Sequence, residues 1–238
     1  FPIYNLMGCT GFILGLLLFM HNLKDYDLTH QKKDRLLFLF ALSFLGAMAF
    51  ANVGNWLVMP ELWDKSVTER IAQAGLSYYF GLIGFVVLVS MLLKAFGYEV
   101  AKCINLFIPS LLLFHSLGRV GCSLAGCCYG KLVNWNIMDM FVLARFPARE
   151  IEALCLFILF LVAQLVIKEN RLLFYLFTYP PIRFLLEYGR GDYRGMIFPG
   201  GLSIAQVISI VLFTSAVIYV MAAKRKSRQN HPMNRWME

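Results

Sequence analysis

Apolar residues in this chain run on for about 20 positions at a stretch, the length of helix that crosses a bilayer's hydrocarbon core. They do so near 3–21, 36–59, 75–97, 103–121, 149–168, 172–189 and 201–223. Lipid offers no partner for a backbone amide, so a segment at membrane depth closes its hydrogen bonds either within itself, as a helix, or in a closed barrel. A barrel strand alternates its faces every second residue, and these runs do not alternate. Composition agrees: 15% of the residues are charged, against about a quarter in soluble domains. The chain is therefore expected to be an all-α, polytopic integral membrane protein with about seven transmembrane helices.

A single helical domain over 1–223 and a basic tail over 224–238 account for the whole length, without an internal repeat or linker. Between spans four and five, residues 122–147 are Gly-rich and then mixed, which predicts a short element and a loop. The chain opens on Phe1 directly before an apolar stretch, which predicts a few residues ahead of it and no cleavable signal peptide. The net charge of +8 suits cytoplasmic loops and an anionic lipid surface, and no nucleic-acid partner is expected.

Lys and Arg distribution sets the orientation. With the N-terminus outside, the inner segments and the tail hold 13 of the 22 basic residues. Of the other nine, Arg119, Arg149, Arg183 and Arg190 belong to polar motifs, and the remainder fits the positive-inside rule. That topology places the C-terminus in the cytoplasm. It also brings Tyr4, Tyr79, His115, Arg119, Arg149, Glu152, Arg183, Glu187 and Arg190 to one depth near the outer face. Ionisable groups at membrane depth are costly and tend to face a bundle interior or wet cavity, where they mark function.

Three motifs carry those groups. The first is His115-Ser-Leu-Gly118-Arg119-Val-Gly121-Cys122, continuing through Cys127-Cys128-Tyr129-Gly130. An arginine among glycines suits a phosphate, because backbone amides approach closely and the guanidinium fork takes two oxygens together. Small-residue helix packing around a snorkelling arginine is the plainer reading. His115, one turn before Arg119, is placed either to take a proton from a thiol or hydroxyl or to serve as a hydrogen-bonded structural histidine. The second motif, Pro180-Pro181-Ile-Arg183-Phe-Leu-Leu-Glu187-Tyr-Gly-Arg190, puts Arg183, Glu187 and Arg190 on one helix face. That row reads as a structural ion pair or as a carboxylate holding two forks for an anionic ligand. The third, Phe146-Pro147-Ala148-Arg149-Glu150-Ile151-Glu152, carries ordinary helix-start signals, and Glu152 reads equally as anchor or site residue. Cys122, Cys127 and Cys128 lack the paired spacing of a zinc site, so they are read as small packing residues and no metal is expected.

These motifs resemble the prolipoprotein diacylglyceryl transferases of bacterial membranes. Gly118-Arg119-Val-Gly121 with Gly130 matches that family's G-R-x-G-N-x-x-N-x-E-x-x-G signature in frame. Phe146-Pro147 through Glu152 is similar to its P-S-Q-L-Y-E element, Arg183 through Arg190 to R-F-x-x-E-F-x-R, and Gly201 through Gln206 to G-L-S-x-G-Q. Tyr4 stands where the family has a first-helix tyrosine. The resemblance implies an enzyme of the bacterial cytoplasmic membrane, needing no cofactor. It would transfer the diacylglyceryl group of phosphatidylglycerol to the lipobox cysteine of a prolipoprotein and release glycerol phosphate. The expected catalytic groups are Arg119, Arg183, His115 and Tyr79; the expected substrate contacts are Tyr4, Gly118, Gly121, Gly130, Arg149, Glu152, Glu187 and Arg190.

The chain departs from the pattern at identifiable places. The family's H-G-G-L-I-G histidine is Tyr79 here, its signature asparagines and glutamate are Cys122, Ala125 and Cys127, the glutamine of P-S-Q is Arg149, and the arginine of a G-A-R element is Met48. His115 is therefore read as a replacement base. The alternatives are a relative using the same donor with another thiol or hydroxyl acceptor, and a non-catalytic lipid or anion transporter.

Overall fold

The computed structural model describes residues 2–26, 28–75, 77–137, 140–192, 197–198 and 201–230. Seven long helices fall on the seven expected stretches: α1 (Pro2–Leu23), α2 (His30–Leu57), α4 (Tyr78–Ala95), α5 (Val100–Leu124), α6 (Ala148–Leu165), α7 (Arg171–Glu187) and α8 (Ile204–Asn230). Five of them, α1, α2, α4, α5 and α8, are long and apolar enough to cross a membrane. The other two also carry buried charges: α6 has Arg149, Glu150 and the buried Glu152 in its first turns, and α7 has 17 residues with the buried Arg183 near its end. Along α6, Leu154, Ile158, Leu161 and Leu165 are exposed, while Leu156, Leu159 and Ala163 are buried. Beyond its charged start this helix has apolar side chains on both its exposed and its buried faces.

Three elements differ from expectation. An eight-residue helix, α3 (Val67–Ala74), follows α2, begun by a capping box in which the Ser66 amide donates to Glu69 at 2.9 Å and the Glu69 amide to Ser66 Oγ at 3.4 Å. Those Ser66 hydrogen bonds hold the exposed Glu69 carboxyl below its usual range. The 122–147 region contains an antiparallel hairpin, β1 (Leu132–Ile137) with β2 (Met140–Arg145). A two-residue pair, β3 (Ile197–Phe198) with β4 (Leu202–Ser203), leads into α8. Helix α8 continues through Lys224 and Arg225 to Asn230; residues 231–238 lie outside the described part of the chain.

Small residues set which helices touch. Gly11 and Gly15 let α1 lie on α5, where a Cβ at Gly15 would sit 3.3 Å from the Ser110 carbonyl oxygen. Gly54 of α2 receives the Phe80 ring of α4, and Gly84 of α4 receives the Phe50 ring of α2. Asn22 and Gln164 exchange hydrogen bonds of 3.1 and 2.9 Å between α1 and α6. An aromatic core joins α1, α2, α4 and α5: Phe40 stacks on Phe107 at 4.5 Å, and Phe85 on the same ring at 5.1 Å. Each such pair adds about 0.5–1.5 kcal/mol beyond its buried area. A second core gathers Leu112, Leu156, Leu159, Tyr175 and Tyr179 beneath the polar residues. Outside, Phe38, Leu45, Met91 and Ile218 are exposed, an apolar surface suited to lipid.

Candidate active site

Chain reversal between consecutive helices brings the C-terminal ends of α5 and α7 to the N-terminal end of α6. There the Glu152 carboxylate is wholly buried. An isolated carboxylate in such a place costs several kcal/mol, and cations must offset it. Arg119 of α5 places Nε 3.1 Å from Glu152 Oε2, Arg183 of α7 places Nη1 at 3.7 Å, and Arg190, just past α7, places Nη1 at 4.0 Å. The Tyr179 hydroxyl donates to the other oxygen, Oε1, at 2.9 Å, and His115 Nε2 lies 4.0 Å from it. Glu187 meets Arg183 at 2.6 Å and Arg190 at 4.0 Å, while Asp192 accepts two hydrogen bonds from Arg190 at 3.0 and 2.9 Å.

The pairing is incomplete. Arg119 Nε, Arg183 Nη1, Arg190 Nη1 and both ring nitrogens of His115 are buried without a hydrogen-bond partner among the described residues, as are Glu152 Oε2 and Glu187 Oε2. Arg119 is close to Glu152 as an ion pair but is not aligned as a hydrogen bond. Each such buried group costs roughly 1–3 kcal/mol when left unengaged. A group of them in one place is the signature of a site, where an anion accepts what the protein does not.

The opening beside them is a cavity of about 510 Å³, in the size range of small-molecule sites. Tyr4, His115, Gly118, Arg119, Arg183 and Glu187 are at its polar end; Phe12, Phe40, Phe44, Phe85 and Phe107 are among the residues that line the remainder. It therefore offers guanidinium forks at one end and rings at the other. An amphiphile with an anionic head matches that polarity.

Of the expected residues, seven line this cavity: Tyr4, Tyr79, His115, Gly118, Arg119, Arg183 and Glu187. Glu152 and Arg190 are not part of its lining, and Gly121 makes room for Met7 and Tyr4, with a Cβ there 2.9 Å from Met7 Cβ. Two are elsewhere. Arg149 pairs with Glu150 at 2.7 Å and donates to the Cys127 carbonyl at 2.7 Å, so it anchors a loop. A Cβ on Gly130 would run into the Phe146 carbonyl oxygen. Gly130 instead pairs its backbone with Arg190 in an antiparallel bridge, flanked by Lys131 N–H to Gly189 O at 2.9 Å and Gly191 N–H to Tyr129 O at 3.0 Å. It clamps the loop after α5 to the loop after α7.

Tyr79 lines the cavity, but its hydroxyl is hydrogen-bonded to Ser209 of α8 at 2.7 Å. The ring against His115 belongs to Tyr78, stacked at 3.6 Å and 14°, with its hydroxyl 3.0 Å from that of Tyr175. Tyr179 meets the same imidazole edge-on at 5.1 Å. Sequence reading missed Tyr78, Tyr175, Tyr179 and Asp192. A signal for two of them was present: 175, 179, 183 and 187 form one row at every fourth position of α7.

The cysteines also differ from expectation. After α5, Gly126 and Cys128 take left-handed backbone angles (φ 71° and 58°), and the chain turns back so that the Cys127 amide donates to the Cys122 carbonyl at 3.2 Å. The turn gathers the sulfurs of Cys122, Cys127 and Cys128 within 4.8 Å of one another on the cavity wall.

A family model described as prolipoprotein diacylglyceryl transferase matches residues 1–222. Among named relatives, the phosphatidylglycerol–prolipoprotein diacylglyceryl transferase 2 of Clostridium perfringens is 27% identical over 240 residues, covering 95% of this chain and 92% of its own. The phosphatidylglycerol–prolipoprotein diacylglyceryl transferase of Clostridium tetani is 32% identical over 169 residues, covering 65% and 66%, and that of Finegoldia magna 26% over 234 residues, covering 94% and 91%.

Proposed function

This chain belongs to the prolipoprotein diacylglyceryl transferase family, and from that premise we propose that it moves the diacylglyceryl group of phosphatidylglycerol onto the lipobox cysteine of a prolipoprotein. The names of its relatives favour this acceptor over another thiol or hydroxyl. They likewise favour transfer over transport.

In this reading the lipid phosphate sits between Arg119 and Arg183 and takes the hydrogen bonds that the two guanidiniums do not give to Glu152 or Glu187. The acyl chains lie toward Phe12, Phe40, Phe44 and Phe107. The acceptor sulfur attacks the glyceryl carbon bonded to the phosphate oxygen. A carbon–sulfur bond forms as the carbon–oxygen bond breaks, and glycerol phosphate leaves with the bonding electrons. The arginines stabilise charge as it builds on the departing oxygen. His115 takes the thiol proton. Tyr78 and Tyr179 hold its ring, and the engaged hydroxyl of Tyr79 favours His115 over Tyr79 for that task. Glu152 and Tyr179 position the arginines.

We further infer seven crossings in the bacterial cytoplasmic membrane, as one domain over 1–223. The N-terminus is outside, the basic end is in the cytoplasm and the site opens near the outer face. The 13 basic residues of the inner segments and the tail support that orientation.

The observation that carries the proposal is the convergence of Arg119, Arg183 and Arg190 on one buried carboxylate at the polar end of a mainly apolar cavity. Purified protein given labelled phosphatidylglycerol and a lipobox peptide should release glycerol phosphate, and Arg119→Ala should abolish the release. Release that persists in Arg119→Ala refutes the role given to that arginine.

A further inference from the structure

We propose that Cys122, Cys127 and Cys128 form a three-thiolate site for a zinc ion whose fourth position faces the cavity, where the acceptor thiol binds. The first half rests on geometry alone; the second rests on the transferase reading. Zinc bonds sulfur at about 2.3 Å, so three thiolates around it stand about 3.8 Å apart. The sulfurs already lie within 4.8 Å of one another, and small side-chain rotations close the remainder. The triad is assembled by the backbone. Cys122 is fixed on the last turn of α5, and the turn through Gly126 and Cys128 carries the other two back to it. Cys122 is buried while Cys127 and Cys128 are half-exposed, and all three line the cavity. A bound ion thus has protein sulfur on one side and the opening on the other.

Three protein ligands with one open position is the pattern of catalytic rather than structural zinc. As the ion binds, three thiols lose three protons to solvent, leaving a complex of net charge −1. Arg119, one helical turn before Cys122, offsets that charge. A fourth thiol entering the open position gives its proton to His115 and becomes a thiolate, the form in which sulfur attacks carbon. The cavity that holds the phosphate arginines would then hold the acceptor sulfur as well, with the reactants brought to one place.

The full chain, reduced and stripped of metal in detergent, is titrated with Co²⁺ as a coloured stand-in. One equivalent is expected to bind, giving sulfur-to-cobalt charge-transfer absorption and the visible bands of a tetrahedral ion, both lost on adding Zn²⁺. Cys122→Ser, Cys127→Ser and Cys128→Ser should each lose the spectrum, and Cys9→Ser should keep it. Because a serine variant can misfold, the unsubstituted chain decides first: no uptake of cobalt or zinc overturns the site. So does a thiol count falling from six to four without uptake, which would mean a disulfide, and so does a spectrum that survives Cys122→Ser. A lipobox peptide should then shift the visible bands while its Cys→Ser analogue does not; unchanged bands overturn the acceptor half. An intact, peptide-responsive spectrum with no glycerol phosphate release counts instead against the transferase reading and leaves the metal site standing.

Discussion

Replacing Glu152 with glutamine tests the site at its centre. The substitution keeps the shape and an oxygen for the Tyr179 hydroxyl, and it removes one negative charge that faces Arg119 at 3.1 Å, Arg183 at 3.7 Å and Arg190 at 4.0 Å. At an effective dielectric constant of about 20, each of those distances corresponds to about 4–5 kcal/mol of attraction. Desolvation of the buried groups offsets much of it, and removing one partner of a buried ion pair costs about 3–5 kcal/mol net. For a chain of this size that is a fall in Tm on the order of 10 °C. The kinetic consequence has a distinct shape. Glu187 and Asp192 remain beside Arg183 and Arg190, so the arginines gain a net positive charge and phosphatidylglycerol binds no more weakly. They also lose the carboxylate that aims them. A displacement near 1 Å can cost about 100-fold in the chemical step. Glu152→Gln should therefore show an unchanged or lower KM for the lipid and a kcat reduced about 100-fold, measured as glycerol phosphate release per folded enzyme well below the new Tm. A variant with a lowered Tm and an undiminished kcat would show that Glu152 only holds the fold together, and the positioning argument would fail.

Two further outcomes follow from contacts described above. Gly130→Ala forces a methyl against the Phe146 carbonyl and should lower Tm by the several degrees that about 1–3 kcal/mol of overpacking implies; Gly118→Ala, with nothing within 4 Å of its Cβ, should leave Tm unmoved, and equal Tm values in a thermal-shift assay would refute the clamp. Tyr78→Phe keeps the ring on His115 and should retain activity within a few-fold, whereas Tyr78→Ala should lower kcat on the order of 10- to 100-fold by freeing the imidazole; equal losses in the two variants would shift the importance to the hydroxyl contact with Tyr175.

The helices were legible because lipid imposes a length, and a length can be read off a chain. That the ends of α5 and α7 meet the start of α6 was legible too, since chain reversal brings those ends together. Other features were hidden for stated physical reasons. The hairpin over 132–145 lacks the Asn-Gly or Asp-Gly pair that marks a tight turn, and β2 reads as a short apolar run that any element could use. Helix α3 did announce itself, through Ser66 three residues before Glu69, but eight residues between two spans look like loop. Tyr78 and Tyr79 are neighbours about 100° apart on a helix, and only packing decides which one meets His115. The cysteine cluster depends on two left-handed residues, Gly126 and Cys128, and spacing carries no trace of such a turn when one of the two is not glycine.

Arg119, Arg183 and Arg190 share the Glu152 carboxylate, although Arg183 also pairs with Glu187 and Arg190 with Asp192. Exchange one, and the other two move to share what it leaves behind; the cost of any pair of substitutions should then differ from the two single costs added together. A lineage drifting through sequence space would meet this ring as one character, altered in concert or left alone, while the greasy walls around it wander freely.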